Sequence, residues 1–386
     1  MEKEKKNKSN IPLFFLARFA YNVNNRMVYP FISQIAKGVG TSVANVSSAI
    51  SLKFIISNIC PFISSIADKK GRKPVIIGCM FLIMAGLAVF ILNPTFLTLV
   101  VTMCTGSIGC FAAMSSIQAY VADTETPERA GRIVSVLELG WSTSFIIGMP
   151  ITSIFILKFG WISPFVVLLI LFAALTIWLM VSIKEEPIIK VQEEKKATTL
   201  SLLLLVFKDR KAVLVLILHL LIVMPAELVL VTFSTWLEDA FNAQVMSLGM
   251  SSFVIGFAEL SGEGLSILLS DKFKRLSLVR GGLIVGSVFA LLLPLLGSTQ
   301  IGASLGLFLF FVSTEYIYIC CVPLTVQIVP EARAAALGLV GTALAVARAI
   351  ADLIGPHLMA LGLYHVVIPC VVLDIAAFYI IGKIEK

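Results

Sequence analysis

The chain has 386 residues, of which 58% are hydrophobic and only 14% are charged. Soluble domains carry roughly 25% charged residues, so this composition excludes an ordinary soluble domain and indicates a membrane protein. The formal net charge of +7 would by itself suit a nucleic-acid-binding protein, and its distribution along the chain decides that question.

From the N-terminus onward, apolar runs of about 20 residues follow one another, which is the length that a bilayer-spanning helix needs. The predicted segments 1 to 12 lie at 11–36, 42–67, 74–93, 95–122, 132–158, 161–183, 212–236, 246–270, 277–297, 300–328, 335–360 and 363–382. The runs are continuously apolar rather than alternating, which favours helices over membrane strands. The sequence therefore predicts an all-α membrane protein with twelve transmembrane helices.

Polar residues and prolines interrupt two of these segments. Arg18 and Arg26 lie within segment 1 and no small-residue cleavage site follows, so no cleavable signal peptide is expected. Pro225, two residues before Glu227, predicts a break in segment 7, because proline removes a backbone hydrogen bond from a helix.

Basic residues gather in one set of the connections between segments. Most of the 30 Lys and Arg residues lie there or at the chain ends, whereas the opposite connections hold only Lys37 and Lys158. The positive-inside rule places the basic side in the cytoplasm, with both termini, for a protein of the inner cell membrane. The net charge then reflects topology and contact with anionic lipid, and no nucleic-acid partner is expected.

Two loops recur in the second half of the chain at one shared offset. Asp68 returns as Asp271, and Pro127 returns as Pro330. One offset kept across separate loops indicates duplication, which predicts two parallel six-helix bundles related by a pseudo-twofold axis along the membrane normal. The predicted domains are an N-terminal bundle at 1–183, a cytoplasmic linker with a short interfacial helix at 184–211 and a C-terminal bundle at 212–386.

The loop ADKKGRKP after segment 2 and the loop ADTETPERAGR after segment 4 resemble signature loops of the major facilitator superfamily. The resemblance implies the twelve-helix fold of that family and secondary transport by alternating access. It also implies a gate, in which Asp68 meets the opposite bundle and Arg72 pairs with Asp123, while Gly71 permits the turn. Ser64 stands where the family usually has a glycine, and the second copy of the first loop, DKFKR, lacks its glycine.

Ionisable residues within the apolar segments carry the functional predictions, because a charge at bilayer depth usually faces a cavity or a partner. The predicted substrate-binding residues, expected to line a central cavity, are Arg18, Asn22, Asn25, Arg26, Lys53, Trp141 and Arg348. The predicted proton-coupling residues are Glu227, Glu259, Glu263 and Glu315, because adjacent carboxylates favour proton binding. Arg348 and Asp352, four residues apart, are alternatively expected to form an internal ion pair. Glu138 and Asp374 are expected to lie off the cavity.

Rival function classes lack their signatures. No HExxH or GxSxG pattern occurs, so no enzyme is expected, and cysteines that all lie in apolar segments suggest no metal site. Acidic residues dominate the C-terminal half, so the leading prediction is proton-coupled export, by antiport, of an amphipathic or cationic compound. The alternative is proton-coupled uptake, by symport, of an organic anion held by Arg18, Arg26 and Lys53. The expected partners are a small-molecule substrate, protons and the lipid bilayer. The expected state is a monomer without a cofactor.

Overall fold

The computed structural model describes residues 10–60, 63, 66–67, 71–183, 206–270, 272–328 and 333–385. Among these residues the regular elements are all helices. In chain order they are α1 (Ile11–Arg26), α2 (Ile32–Val39), α3 (Val43–Ser57), α4 (Arg72–Leu92), α5 (Phe96–Thr124), α6 (Pro127–Phe159), α7 (Ser163–Ser182), α8 (Arg210–Phe241), α9 (Val245–Ser270), α10 (Arg275–Leu296), α11 (Gln300–Ile328), α12 (Arg333–Ala360) and α13 (Leu363–Ile384). The predicted all-α fold is confirmed. Most of the predicted linker, with its interfacial helix, lies outside the described residues.

Ten helices in the described part of the chain, α4 to α13, are long and apolar enough to cross a membrane. Counting α2 and α3 as one span, although they meet at 107°, raises that number to eleven. The helices follow the twelve predicted segments in order, with α1 and α2 corresponding to segment 1 and α3 to segment 2.

Segment 1 is not one continuous helix, because the chain leaves the helical path between Arg26 and Ile32. Pro30 explains the break: it has no N–H for the Arg26 carbonyl, and it disfavours the helical conformation at the preceding Tyr29. The Tyr29 amide donates instead to the Arg26 carbonyl, at 3.2 Å, which closes a tighter turn than the α-helix has. The prediction of a single helix over 11–36 is wrong at this point.

Segment 7, by contrast, is continuous, and the break predicted there is wrong. Helix α8 has 32 residues and passes through Pro225, while the side chain of Asp209 caps its start by accepting from two backbone amides. Proline is tolerated in a membrane helix where neighbouring helices stabilise the freed backbone groups. The carbonyl that Pro225 frees is that of Leu221. Helix α8 packs along α12 and α13 at this level, where the Cys370 Sγ of α13 lies 3.7 Å from the Pro225 carbonyl oxygen.

Helix α6 contains a π-helical turn at Ser144–Gly148. Pro150 lies two residues after this turn, and its ring would collide with the carbonyl four residues earlier in a regular α-helix. The wider π turn relieves that clash. The adjacent Trp141 carbonyl accepts a hydrogen bond from the Ser144 hydroxyl at 2.6 Å.

Helices α4 and α5 pack closely at a glycine. A Cβ atom on Gly109 would lie only 2.9 Å from the backbone carbonyl oxygen of Cys79. Small residues at such crossings let membrane helices approach each other. Gly78, on α4, faces open space, where a Cβ atom would meet nothing within 4 Å.

The chain divides into two compact units. The first comprises Met1–Lys190 and Val245–Gly256, and the second comprises Val191–Gln244 and Phe257–Lys386. The first half of α9 therefore groups with the N-terminal helices, although the predicted C-terminal bundle begins at 212. Close packing on α6 accounts for this, since a Cβ atom on Gly256 would lie 2.8 Å from the Ser142 carbonyl oxygen. The pseudo-twofold relation of two six-helix bundles stays a prediction.

Candidate substrate and coupling site

The loop before α4 has the local geometry that the predicted gate requires. Gly71 has a φ of 92°, which favours glycine because other residues lack a comfortable conformation there. The next residue, Arg72, places its Nε 3.1 Å from Oδ2 of Asp123 at the end of α5, and the two side chains are 22% and 41% exposed. A pair this exposed stabilises the fold by about 0–1 kcal/mol. Asp68 lies outside the described residues, so the gating role stays a prediction.

In the first unit, three helices meet at one carboxylate. Arg18 of α1 places its Nη2 2.8 Å from Oε2 of Glu138 on α6. Gln118 of α5 donates from Nε2 to the other carboxylate oxygen of Glu138, at 3.2 Å. The Glu138 side chain is 47% exposed, so this carboxylate is open on one side. Arg18, predicted to bind substrate, thus has an acidic partner.

Arg26 is 2% exposed, and its guanidinium contacts α6 through a hydrogen bond and by stacking on aromatic rings. Its Nη1 donates to the Trp141 carbonyl oxygen at 3.1 Å. The guanidinium lies 4.1 Å from the centroid of the Trp141 ring and 3.6 Å from that of Phe145. Desolvated contacts of this kind contribute about 2 kcal/mol or more. Protein groups therefore compensate the Arg26 charge, and Trp141 contacts it directly.

Asn22 lies between Arg18 and Arg26 at four-residue spacing, on the face of α1 that packs against α6. It is 3% exposed, and its Nδ2 has no hydrogen-bond partner within the described part of the chain. Leaving a buried donor unsatisfied costs about 1–3 kcal/mol, so such a group calls for a ligand, a water or a functional reason. Asn22 is therefore a predicted substrate-binding residue with an available donor.

Lys53 of α3 is also buried, at 2% exposure. Its Nζ donates to the backbone carbonyl oxygen of Asn25 at 2.6 Å, next to the break after α1. The ammonium lies 5.3 Å from the centroid of the Tyr29 ring and 5.0 Å from that of Phe54. Lys53 and Asn25, both predicted to bind substrate, therefore meet through the backbone of Asn25.

In the second unit, Arg348 of α12 pairs with Glu227 of α8. The Arg348 Nε lies 3.4 Å from the Glu227 Oε2, and the side chains are 20% and 6% exposed. The sequence suggested Asp352, four residues further along α12, as a partner of Arg348, whereas Glu227 lies on a different helix. Asp352 is itself fully buried on α12. The contact joins a predicted substrate-binding residue to a predicted coupling residue.

The other three predicted coupling residues lie on α9 and α11. Glu259 is 4% exposed, whereas Glu263 and Glu315 are half-buried. A Cβ atom on Gly262 would lie 3.0 Å from the Cβ of Glu315, so α11 brings this acid beside the turn that carries Glu259 and Glu263. The parts of α9 and α11 that carry these three acids therefore lie side by side.

Several partners of the charged residues were missed by sequence reasoning. Phe145 follows Trp141 by one helical turn, and that spacing could have indicated a shared face. Gln118 carries no local signal that would pair it with Glu138. Ser287 of α10 donates to Oδ2 of the buried Asp374 at 3.1 Å, a contact that likewise has no sequence signal. Among the described residues, no group of three or more His, Cys, Asp or Glu could hold a metal ion.

Comparison with known proteins identifies the family. A model of the Major Facilitator Superfamily matches residues 14–351. The MFS-type transporter clz9 of Cochliobolus lunatus is 30% identical over 141 residues, which is 36% of this chain and 15% of that protein. An MFS-type transporter of Phoma sp. is 27% identical over 113 residues, 29% of this chain and 22% of that protein. The matches thus span less than a quarter of the length of these relatives.

Solved structures share the fold at low sequence identity. A bacterial homologue of the human lysosomal transporter Spinster, inward-facing and occupied, has a TM-score of 0.77 at 12% identity, covering 98% of this chain and 97% of that chain. The nucleoside transporter NupG has a TM-score of 0.77 at 14% identity, covering 97% and 99%. The family match over most of the chain and the shared fold show that this chain belongs to the Major Facilitator Superfamily of membrane-embedded secondary transporters.

Proposed function

We propose that this transporter exports an amphipathic or cationic small molecule across the cell membrane in exchange for protons, with both termini in the cytoplasm. The contact between Glu227 and Arg348 is the main support for this proposal. The Glu227 carboxylate is 6% exposed and lies 3.4 Å from the Arg348 guanidinium, so the two side chains form a largely buried ion pair. A proton or a cationic substrate that reaches the same carboxylate competes with the guanidinium, and such competition is sufficient for exchange.

Charge balance in the second unit favours a cationic substrate. Segments 7 to 12 hold two arginines, Arg348 and Arg280, and the latter lies near the start of segment 9 and pairs with Glu385. The same segments hold six acidic residues: Glu227, Glu259, Glu263, Glu315, Asp352 and Asp374. Acidic residues at bilayer depth mark ion pathways and proton relays in transporters, and a surplus of them over basic residues favours a cation. We therefore assign proton coupling to Glu227, Glu259, Glu263 and Glu315.

Uptake of an organic anion, the alternative, requires Arg18, Arg26 and Lys53 to face the substrate. In the described structure each of them contacts a protein acceptor: Arg18 the Glu138 carboxylate, Arg26 the Trp141 carbonyl and Lys53 the Asn25 carbonyl. Arg26 and Lys53 are each 2% exposed. These contacts weigh against an anion held by the three side chains together.

The test uses proteoliposomes that contain a pH-sensitive dye, at equal pH on both sides, with the membrane potential clamped by potassium and valinomycin. External ethidium, an organic cation, is expected to enter in exchange for protons and to raise the internal pH. External 2-naphthalenesulfonate, an organic anion, is expected to leave it unchanged. If the sulfonate acidifies the interior while ethidium has no effect, the chain is an anion symporter and the proposal is wrong.

Glutamine replacement locates the coupling site in the same assay. Each of the four glutamates, Glu227, Glu259, Glu263 and Glu315, is changed to Gln. The variant that lacks the coupling carboxylate is expected to lose the pH signal while exchange of labelled substrate continues, because an amide does not take up and release protons as a carboxylate does. Glu385→Gln is the matched control, since this residue is 37% exposed and pairs with Arg280 at the end of α13. If all four variants still move protons, the coupling site lies elsewhere, with Glu138, Asp352 and Asp374 as the next candidates.

A further inference from the structure

We infer that Lys53 supplies a built-in cation at the break of the first membrane segment, so that this position needs no sodium ion. In transporters with broken helices, unwound carbonyls and the C-terminal ends of half-helices commonly coordinate sodium. The break between Arg26 and Ile32 creates such a helix end, and the Lys53 ammonium binds a carbonyl oxygen of its last turn, that of Asn25. Lys53 would thereby take the place of a coupling ion here, independently of the acidic residues of the second unit.

The break in the backbone leaves the Asn25 carbonyl without its helical amide partner, and this is the carbonyl that the Lys53 ammonium binds. In a regular helix the Asn25 carbonyl would accept from the Tyr29 amide. Pro30 has no N–H for the Arg26 carbonyl, and the Tyr29 amide donates to that carbonyl instead, at 3.2 Å. Lys53 Nζ then lies 2.6 Å from the Asn25 carbonyl oxygen that the diverted amide would otherwise have used. The ammonium thus takes the place of the Tyr29 amide at the Asn25 carbonyl.

The surroundings favour a cation in this place. The C-terminal end of α1 carries partial negative charge from its carbonyl groups. The rings of Tyr29 and Phe54, at 5.3 and 5.0 Å from the ammonium, add attraction through their faces. A buried ammonium of this kind is held by dipoles and rings that would equally suit an alkali ion.

A small cavity beside Lys53 supplies further oxygen atoms. Its polar lining consists of Asn24, Asn25, Lys53 and Thr102, and the described residues that line it include no acid. Thr102 is 5% exposed, and its hydroxyl has no hydrogen-bond partner within the described structure. Carbonyl and hydroxyl oxygens are the ligands that hard cations prefer. Without Lys53, the same oxygens would form a site for sodium or for a small primary ammonium ion.

The wild-type protein provides the first test. Its melting temperature and its substrate exchange are expected to be the same in sodium chloride and in choline chloride, because Lys53 already occupies the site. Exchange that requires sodium, or a melting temperature that rises with sodium, would overturn the inference. A melting temperature that falls when gluconate replaces chloride would also overturn it, because that result indicates an anion held by Lys53 and Thr102.

Removal of the side chain provides the second test. Lys53→Ala is expected to lower the melting temperature and the exchange rate, and methylammonium or sodium, but not choline, is expected to restore both. Lys37→Ala is the matched control, because Lys37 is an exposed lysine on α2, and added cations should not affect it. A loss that neither methylammonium nor sodium reverses would show that Lys53 acts through packing alone. Neither test uses protons, so a failure of the proposed proton coupling remains distinguishable.

Discussion

The pair of Glu227 and Arg348 allows a quantitative prediction about a buried charge. At their separation of 3.4 Å, and with an effective dielectric constant of about 20, the gross attraction is about 5 kcal/mol. Desolvation of both ions offsets much of this, so the coupling free energy in a double-mutant cycle should be about 1–3 kcal/mol. Each single change, Glu227→Gln or Arg348→Gln, leaves the other charge without this partner. Each should therefore destabilise the protein more than the double change does.

A second pair in the same unit serves as the matched control. Arg280 and Glu385 are closer, at 2.7 Å, but their side chains are 32% and 37% exposed. Solvent screening should therefore reduce their coupling to about 0.2–1 kcal/mol despite the shorter distance. Burial rather than separation decides the order of the two couplings.

Reversible unfolding in mixed detergent micelles measures the free energy of unfolding for each member of the two cycles. Substrate exchange in proteoliposomes is measured in parallel. The double variant of Glu227 and Arg348 is expected to regain stability relative to the single variants without regaining proton-coupled exchange. Additive effects at this pair, or a larger coupling at Arg280 and Glu385, would refute the assignment of a buried compensated charge.

Three further predictions concern packing, gating and topology. Gly109→Ala should lower the melting temperature, because overpacking costs about 1–3 kcal/mol and exceeds the gain of roughly 1 kcal/mol in helix propensity, whereas Gly78→Ala in open space should be neutral or stabilising. Asp68→Asn should abolish most exchange in vesicles while substrate affinity, measured by ligand-induced thermal shift, stays near that of the wild type; wild-type exchange would contradict the gating role. A cysteine at Gln244 should react with a membrane-impermeant thiol reagent in intact cells and one at Lys274 should not, and the reverse pattern would invert the orientation. Gln244 is chosen over the neighbouring Asn242 because the latter has a φ of 50°, which a cysteine would adopt only with strain.

Helix positions could be predicted from the sequence because lipid imposes one requirement on every spanning segment. A backbone that cannot bond to water must satisfy itself within a helix, so a continuous apolar run is enough to locate it. Segment 3, predicted at 74–93, corresponds to Arg72–Leu92, and segment 12, predicted at 363–382, corresponds to Leu363–Ile384. The predicted and observed bounds of these two segments differ only at the helix ends, which fray and are capped by local residues.

The two prolines show where such prediction stops. Pro30 breaks segment 1, whereas Pro225 lies inside an uninterrupted helix of 32 residues. Both remove a backbone hydrogen bond, and the local sequence does not tell the outcomes apart. At Pro225, α12 and α13 pack along α8 and support it. Tertiary packing decides the result, and packing partners distant in sequence are not visible in a pattern.

Partners of the charged residues were equally hidden, because Arg18 and Glu138 lie 120 residues apart in the chain. An ionisable residue in an apolar segment signals that compensation exists, without saying whether a substrate or the protein provides it. In the first unit the protein provides much of it: Arg26 stacks on the rings of Trp141 and Phe145.

Whether a buried group already has a protein partner therefore changes which of the predicted site residues are the best candidates for contact with a substrate. A cation already bound to a carbonyl, as Lys53 is to that of Asn25, gains little by exchanging that partner for a substrate anion of equal strength. An amide donor without a partner gains a full hydrogen bond, because its desolvation cost has already been incurred on folding. Asn22 is such a donor within the described structure, and it lies on the same face of α1 as Arg18 and Arg26. We therefore expect a substrate that reaches Asn22 to meet it through a neutral polar group.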